Sequence, residues 1–155
     1  MYFMLFTLLL IIIDQITKYF TVTTLKPIGS KEIIGGILSL TYVENRGAAF
    51  GILQNARWVF IIITIAAIGA IVAYILKMKP KNKTLMFSLS LILSGAIGNM
   101  IDRTFRSFVV DMIEVTFIDY PVFNFADCCV VIGAILLGIY ILFIYKEPEK
   151  EDKND

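Results

Sequence analysis

Two aspartates, Asp111 and Asp127, are the residues in this chain best suited to hydrolytic chemistry. Peptide hydrolysis needs one group to take a proton from water and another to give a proton to the carbonyl oxygen or the leaving amine. Two close carboxyls can do both, because like charges at short range do not both ionise, so one stays protonated as acid while the other acts as base. The rest of the composition leaves few other routes. The chain contains no histidine, which removes Ser-His-Asp and Cys-His catalysis and the common zinc sites. Its two cysteines, Cys128 and Cys129, are adjacent in an apolar run, where they read as buried, reduced and inert. No cluster with metal-ligand spacing is evident, so neither a metal nor a cofactor is expected. From spacing alone, each aspartate reads equally as a helix cap or as an ion-pair partner of Arg103 or Arg106.

Other polar residues stand at chemically useful intervals. Asp14 and Lys18 are four apart on a helix and can pair, although such a pair also serves simply to orient its helix. Gly95, Asn99 and Arg103 recur every four residues and share one face. Asn124 and Asp127 are three apart and share another.

The elements that must hold these groups are membrane spans. Of the 155 residues, 58% are hydrophobic, above the usual soluble range of about 45–50%. The excess is gathered into four runs: about 2–25, 57–76, 84–104 and 122–145. The second is about 28 Å long at 1.5 Å per residue, enough to cross a bilayer. Trp58 and Arg57 at its start suit the membrane interface. The first run has no Lys or Arg before it and no Ala-x-Ala after it, so it reads as a span and not a cleaved signal. Residues 1–146 form a single membrane-embedded unit, and the charged tail 147–155 is expected to be disordered. Residues 27–56 are too polar and Gly-rich to span, and their alternation predicts a small hairpin or sheet at the membrane surface. The fold class is therefore an all-α membrane protein with four transmembrane helices and a small extracytoplasmic β segment. Ser90, Ser94 and Gly98, like Ala66 and Ala70 and like Gly69 and Ala73, recur every four residues and read as helix–helix contacts.

The lysines at 77, 79, 81 and 83 place that short loop, and with it both termini, in the cytoplasm. Asp14 then lies about 20 Å along the first helix, in its outer half. Asn99, Asp102 and Arg103 end the third helix, and Asn124 and Asp127 begin the fourth. Polar groups from three helices thus converge on one level near the outer surface, where each is costly enough to suggest function.

Five segments carry a family resemblance: Asp14 to Lys18 (DQITK), Asn45 to Gly51 (NRGAAFG), Gly95 to Arg103 (GAIGNMIDR), Val109-Val110-Asp111, and Pro121 to Asp127 (PVFNFAD). In order and on these elements they resemble the bacterial lipoprotein signal peptidase (signal peptidase II) family along all four helices. The resemblance implies an aspartic endopeptidase of the bacterial cytoplasmic membrane, acting as a monomer near the outer leaflet. Its implied substrate is a diacylglyceryl-modified prolipoprotein, cut just before the lipidated cysteine, and globomycin-type cyclic peptides are the implied inhibitors. Asp111 and Asp127 match the catalytic pair. Asp14, Lys18, Asn45, Gly47, Gly95, Asn99, Arg103, Asn124 and Ala126 match supporting positions. Residues 27–56, with Phe50 near their end, are expected to cover the cleft as a flap. Cys128 stands where the family pattern has Ser, and a thiol donates a weaker hydrogen bond than a hydroxyl.

Three other readings compete. A small transporter or proton conductor predicts polar residues on a path across both leaflets, whereas the inner halves of the second and fourth helices are apolar. A packing or anchoring subunit predicts that both aspartates can be replaced without loss. An intramembrane protease of the Gly-x-Gly-Asp type lacks its motif here. A nucleic-acid partner is not expected, because a net charge of +1 is spread without a basic, aromatic-laced face.

Overall fold

A computed structural model describes residues 2–47 and 53–145. Four helices are long and apolar enough to cross a membrane. Helix α1 covers Tyr2–Phe20 and continues as a π-helical turn, Thr21–Leu25. Helices α2, Arg57–Met78, and α3, Lys83–Phe105, follow. Helix α4 covers Phe125–Ile139 and continues through Tyr140–Ile144. Strands β1, Ser30–Ile34, β2, Leu38–Asn45, and β3, Val109–Val115, form one antiparallel sheet in the order β1-β2-β3.

Local chemistry sets the helix ends. Lys79 adopts a left-handed conformation (φ 44°) at the end of α2, and Pro80 follows, which cannot continue the helix. The Asn82 side chain then accepts a hydrogen bond from Leu85 N and starts α3. Helix α3 is the centre of the bundle: α1, α2 and α4 all pack on it. Its serines make close packing possible without stranding polar atoms. The hydroxyls of Ser88, Ser90 and Ser94 donate to carbonyls of their own helix at 2.8 Å each. Ser90, Ser94 and Gly98 are buried, in agreement with their expected role as a packing stripe.

The small residues of α2 do not behave this way. Ala66, Gly69, Ala70 and Ala73 are exposed, and Ile61 is the one buried residue of that helix. Small side chains permit a close approach but do not force one, and α2 turns this face outward.

Two boundaries also differ from the sequence expectation. The fourth helix begins at Phe125 and not near 122. Phe123 is instead paired with the sheet, exchanging backbone hydrogen bonds with Ile113 at 2.8 and 3.0 Å. The connection between α3 and α4 contains strand β3, which adds a third strand to the small surface hairpin or sheet expected over residues 27–56. Phe50 and the tail from Lys146 lie outside the described residues.

The α3–α4 seam gives a stability prediction. A Cβ on Gly133 would lie 2.8 Å from Ile92 Cγ1 and 2.9 Å from both Leu91 Cβ and Ser88 O. Gly133→Ala is expected to cost about 1–3 kcal/mol through overpacking. Gly138, five residues along the same helix, has nothing within 4 Å of that position. Gly138→Ala is expected to be neutral or to stabilise by up to about 1 kcal/mol, from helix propensity. Thermal unfolding of the two variants in detergent checks this, and equal melting of both would contradict the packing described.

Candidate active site

Asp111 and Asp127 reach the site from different elements. Asp111 is on β3, where pairing with Val43 of β2 fixes its position, and it is 1% exposed. Asp127 occupies the first turn of α4. There it forms a capping box with Asn124: Asn124 Oδ1 accepts from Asp127 N at 3.0 Å, and Asp127 Oδ2 accepts from Asn124 N at 3.2 Å. The helix-cap reading is therefore realised for Asp127. The ion-pair reading is not: among the described residues neither aspartate has a cation within 4.0 Å, and Arg106 pairs instead with Asp102 at 3.3 Å.

Three amides hold the two carboxyls. Asn124 Nδ2 donates to Asp111 Oδ1 at 2.6 Å, and Asn45 Nδ2 donates to Asp111 Oδ2 at 2.9 Å. Asn99 Nδ2 donates to Asp127 Oδ1 at 2.7 Å. Asn124 thus touches both aspartates. Asn45 and Asn99 are themselves oriented from their oxygen sides. Gly47 N donates to Asn45 Oδ1 at 3.0 Å, and Lys18 Nζ donates to Asn99 Oδ1 at 2.9 Å. The pKa of Asp111 is pushed up to about 6, first by burial and then by the negative charge of Asp127; the Asn45 and Asn124 amides pull it back in part.

A buried charge cluster lies behind this layer. Lys18, 0% exposed, pairs with Asp14 at 2.9 Å and with Asp102 at 3.3 Å. Asp14 Oδ1 accepts from Ala126 N at 3.1 Å, and Gln15 Nε2 donates to Asp14 Oδ2 at 3.0 Å. The pair does orient α1, by tying it to the first turn of α4. Gly98 is required beside it, since a Cβ there would lie 2.5 Å from Asp14 Oδ2. Gly95 plays the same part against the backbone of Ala126 and Val130, so the space it leaves is filled by α4.

Asp102 is the buried group that spacing did not assign to the site. Its Oδ2 accepts from Val110 N at 3.0 Å, one residue before Asp111, and so joins α3 to the strand that carries that aspartate. Its place in the segment between Asn99 and Arg103 was the available signal. Arg103 makes no ion pair with the two aspartates. Its Nη2 donates to Gly47 O at 3.1 Å, and its guanidinium lies over the Phe60 ring at 4.7 Å. Cys129 is buried and Cys128 half-buried, and both thiols are free.

The site opens into a cleft of about 500 Å³ with two kinds of wall. Asn45, Asn99, Arg103 and Asp127 form its polar end. Ile63 and Ala67 of α2, Ile92 and Ala96 of α3 and Val130 and Val131 of α4 form its apolar arm. Two carboxyls beside a polar opening, with an apolar arm running between spans, suit hydrolysis of a polar bond attached to an apolar chain.

Comparisons with known proteins agree in kind. Residues 6–143 match the family model described as signal peptidase (SPase) II. The lipoprotein signal peptidase of Clostridium acetobutylicum is 43% identical over 148 residues, 94% of this chain and 92% of that protein. The lipoprotein signal peptidase of Caldanaerobacter subterraneus is 47% identical over 134 residues, 86% of this chain and 90% of its own. A solved structure described as a bacterial membrane enzyme superposes with a TM-score of 0.86 at 39% identity, covering 97% of this chain and 94% of that one.

Proposed function

The chain belongs to the signal peptidase II family and is a multi-pass membrane peptidase of the lipoprotein signal peptidase type, and from that premise we propose that it removes signal peptides from diacylglyceryl-modified prolipoproteins by an aspartic mechanism, cutting just before the lipidated cysteine. The observation that carries this reading is the pair of carboxyls, buried Asp111 on β3 and half-buried Asp127 on α4, both held by Asn124, with Asp127 at the polar end of the cleft.

In the proposed mechanism Asp111, with its raised pKa, holds the proton shared by the pair. Asp127 takes a proton from a water, and the water oxygen attacks the scissile carbonyl carbon. Asp111 gives its proton to the carbonyl oxygen. The tetrahedral intermediate then collapses: the leaving amine of the cysteine receives the proton from Asp127, Asp111 takes a proton back from a hydroxyl of the intermediate, and the C–N bond breaks, so the pair again holds one proton. Asn45, Asn99 and Asn124 keep both carboxyls aimed at the same point, so little reorganisation accompanies the reaction. The apolar arm takes apolar chain from the substrate, and Arg103 and Gly47 border the polar opening. The enzyme meets a substrate anchored by its lipid in the outer leaflet, with both termini of the chain in the cytoplasm. Globomycin-type cyclic peptides occupy the same cleft.

The test is cleavage by the purified protein in detergent of one precursor in two forms, with and without the diacylglyceryl group. The reading requires release of the signal peptide from the lipidated form, with the new N-terminus at the modified cysteine. Cleavage elsewhere, or equal cleavage of both forms, would refute the substrate assignment.

A further inference from the structure

A second groove, of about 660 Å³, lies between the C-terminal turns of α1 and the sheet, and the chemistry just described does not use it. Its walls come from two levels. Thr21 and Thr24 belong to the last turns of the first span, Tyr2–Leu25, at the edge of the hydrocarbon region. Lys31, Ile33, Leu40 and Ile113 belong to the sheet beyond it.

The threonines add little polarity to the groove. The Thr21 hydroxyl donates to Thr17 O at 2.9 Å and the Thr24 hydroxyl to Phe20 O at 2.7 Å, so both are satisfied by their own helix. On the sheet side, strand alternation puts Lys31 and Ile33 on the groove face and Glu32 on the other, where Glu32 Oε1 accepts from Gly36 N. Lys31 pairs in register with Leu40, and Leu40 with Ile113. One row across three strands therefore runs from a cation at the sheet edge to two apolar side chains inside. No carboxylate lines the groove, and among the described residues Lys31 has no ion pair.

A largely apolar trough that begins beside a membrane span and ends at an ammonium with no ion pair among the described residues complements an amphiphile with an acyl chain and an anionic head. We propose that this groove binds one anionic phospholipid of the surrounding bilayer, its acyl chain against Thr24, Leu40 and Ile113 and its phosphate at Lys31. Ile113 is two residues from Asp111 on β3, so the bound chain packs against the strand that carries one carboxyl of the site.

The experiment reconstitutes the full chain in vesicles of equal phosphatidylglycerol and phosphatidylcholine, extracts it in mild detergent and counts retained lipid by native mass spectrometry. Wild type is expected to retain one phospholipid, with phosphatidylglycerol favoured about fivefold, the effect of one lysine beside a headgroup of net negative charge, since both lipids carry a phosphate. Lys31→Glu is expected to keep a lipid but lose the preference. Thr24→Trp, which fills the groove from an exposed position, is expected to retain none. Equal retention of both lipids by wild type, or full retention by Thr24→Trp, would overturn the proposal. So would displacement of the lipid by a globomycin-type peptide, because that would put it in the catalytic cleft. No precursor is present, so a retained lipid comes from the bilayer and not from a substrate.

Discussion

Asp111→Asn and Asp127→Asn are each expected to lower cleavage of a lipidated precursor by at least about a thousandfold, within the range for loss of a positioned acid or base. An amide neither accepts the proton from water nor carries the one passed to the carbonyl, so the remaining carboxyl cannot serve in both roles. The fold is expected to survive. In Asp127→Asn the new amide oxygen can still accept from Asn124 N and so preserve the capping box. The structural cost comes from the opposing amide. Asn99 Nδ2 faces Asp127 Oδ1 and cannot flip freely, because Asn99 Oδ1 already accepts from Lys18 Nζ and Asn124 Nδ2. One mismatched contact of this kind costs about 1–3 kcal/mol. A thousandfold loss of rate with a small drop in melting temperature is the pattern that separates catalysis from packing. Normal cleavage by either variant would return the protein to the anchoring-subunit reading.

Lys18→Met is expected to give the largest loss of stability, about 3–5 kcal/mol, the cost of breaking a buried ion pair by removing one partner. Lys18 is 0% exposed and touches Asp14, Asp102 and Asn99. Without it Asp14 has no cation in contact, whereas Asp102 keeps Arg106 at 3.3 Å. The double variant Lys18→Met with Asp14→Asn is therefore expected to recover much of the loss, since an asparagine side chain can still accept from Ala126 N. Thermal unfolding in detergent measures both. A single variant that melts like wild type would show that the charge cluster is not structural.

The four spans, and the polar level that three of them share, were legible in the sequence because both rest on local signals: long apolar runs, and intervals of three and four residues that fix a helix face. The Asn124–Asp127 spacing read as one helix face and is a capping box. Strand β3 was not legible. It is seven residues long, it lies in a connection between spans, and its partner β2 is far away in the chain, so nothing local marks the pairing that positions Asp111. The roles of the asparagines were legible only as capacity. Which donor meets which carboxyl depends on Gly47 and Lys18 fixing the far sides of the Asn45 and Asn99 amides, and those contacts cross 81 residues in the case of Lys18 and Asn99. The outward stripe on α2 shows the converse limit: residue size was read correctly, but which face packs was decided by α3. The polar groups gather at one end of the bundle, on α1, α3, β3 and α4, and the apolar arm leads away from them, which is unlike the continuous polar path that a proton conductor needs.

If Asp111 and Asp127 share one catalytic proton, the pH dependence of kcat/KM for the lipidated precursor reports it. Activity requires one protonated and one ionised carboxyl. On the acid side it is lost when both are protonated. On the alkaline side it is lost as Asp111 gives up the proton that burial and Asp127 hold on it, from about pH 6 upward in the free enzyme. A bell-shaped profile with that alkaline limb is expected. A profile that stays flat from the acid range through neutrality would contradict it.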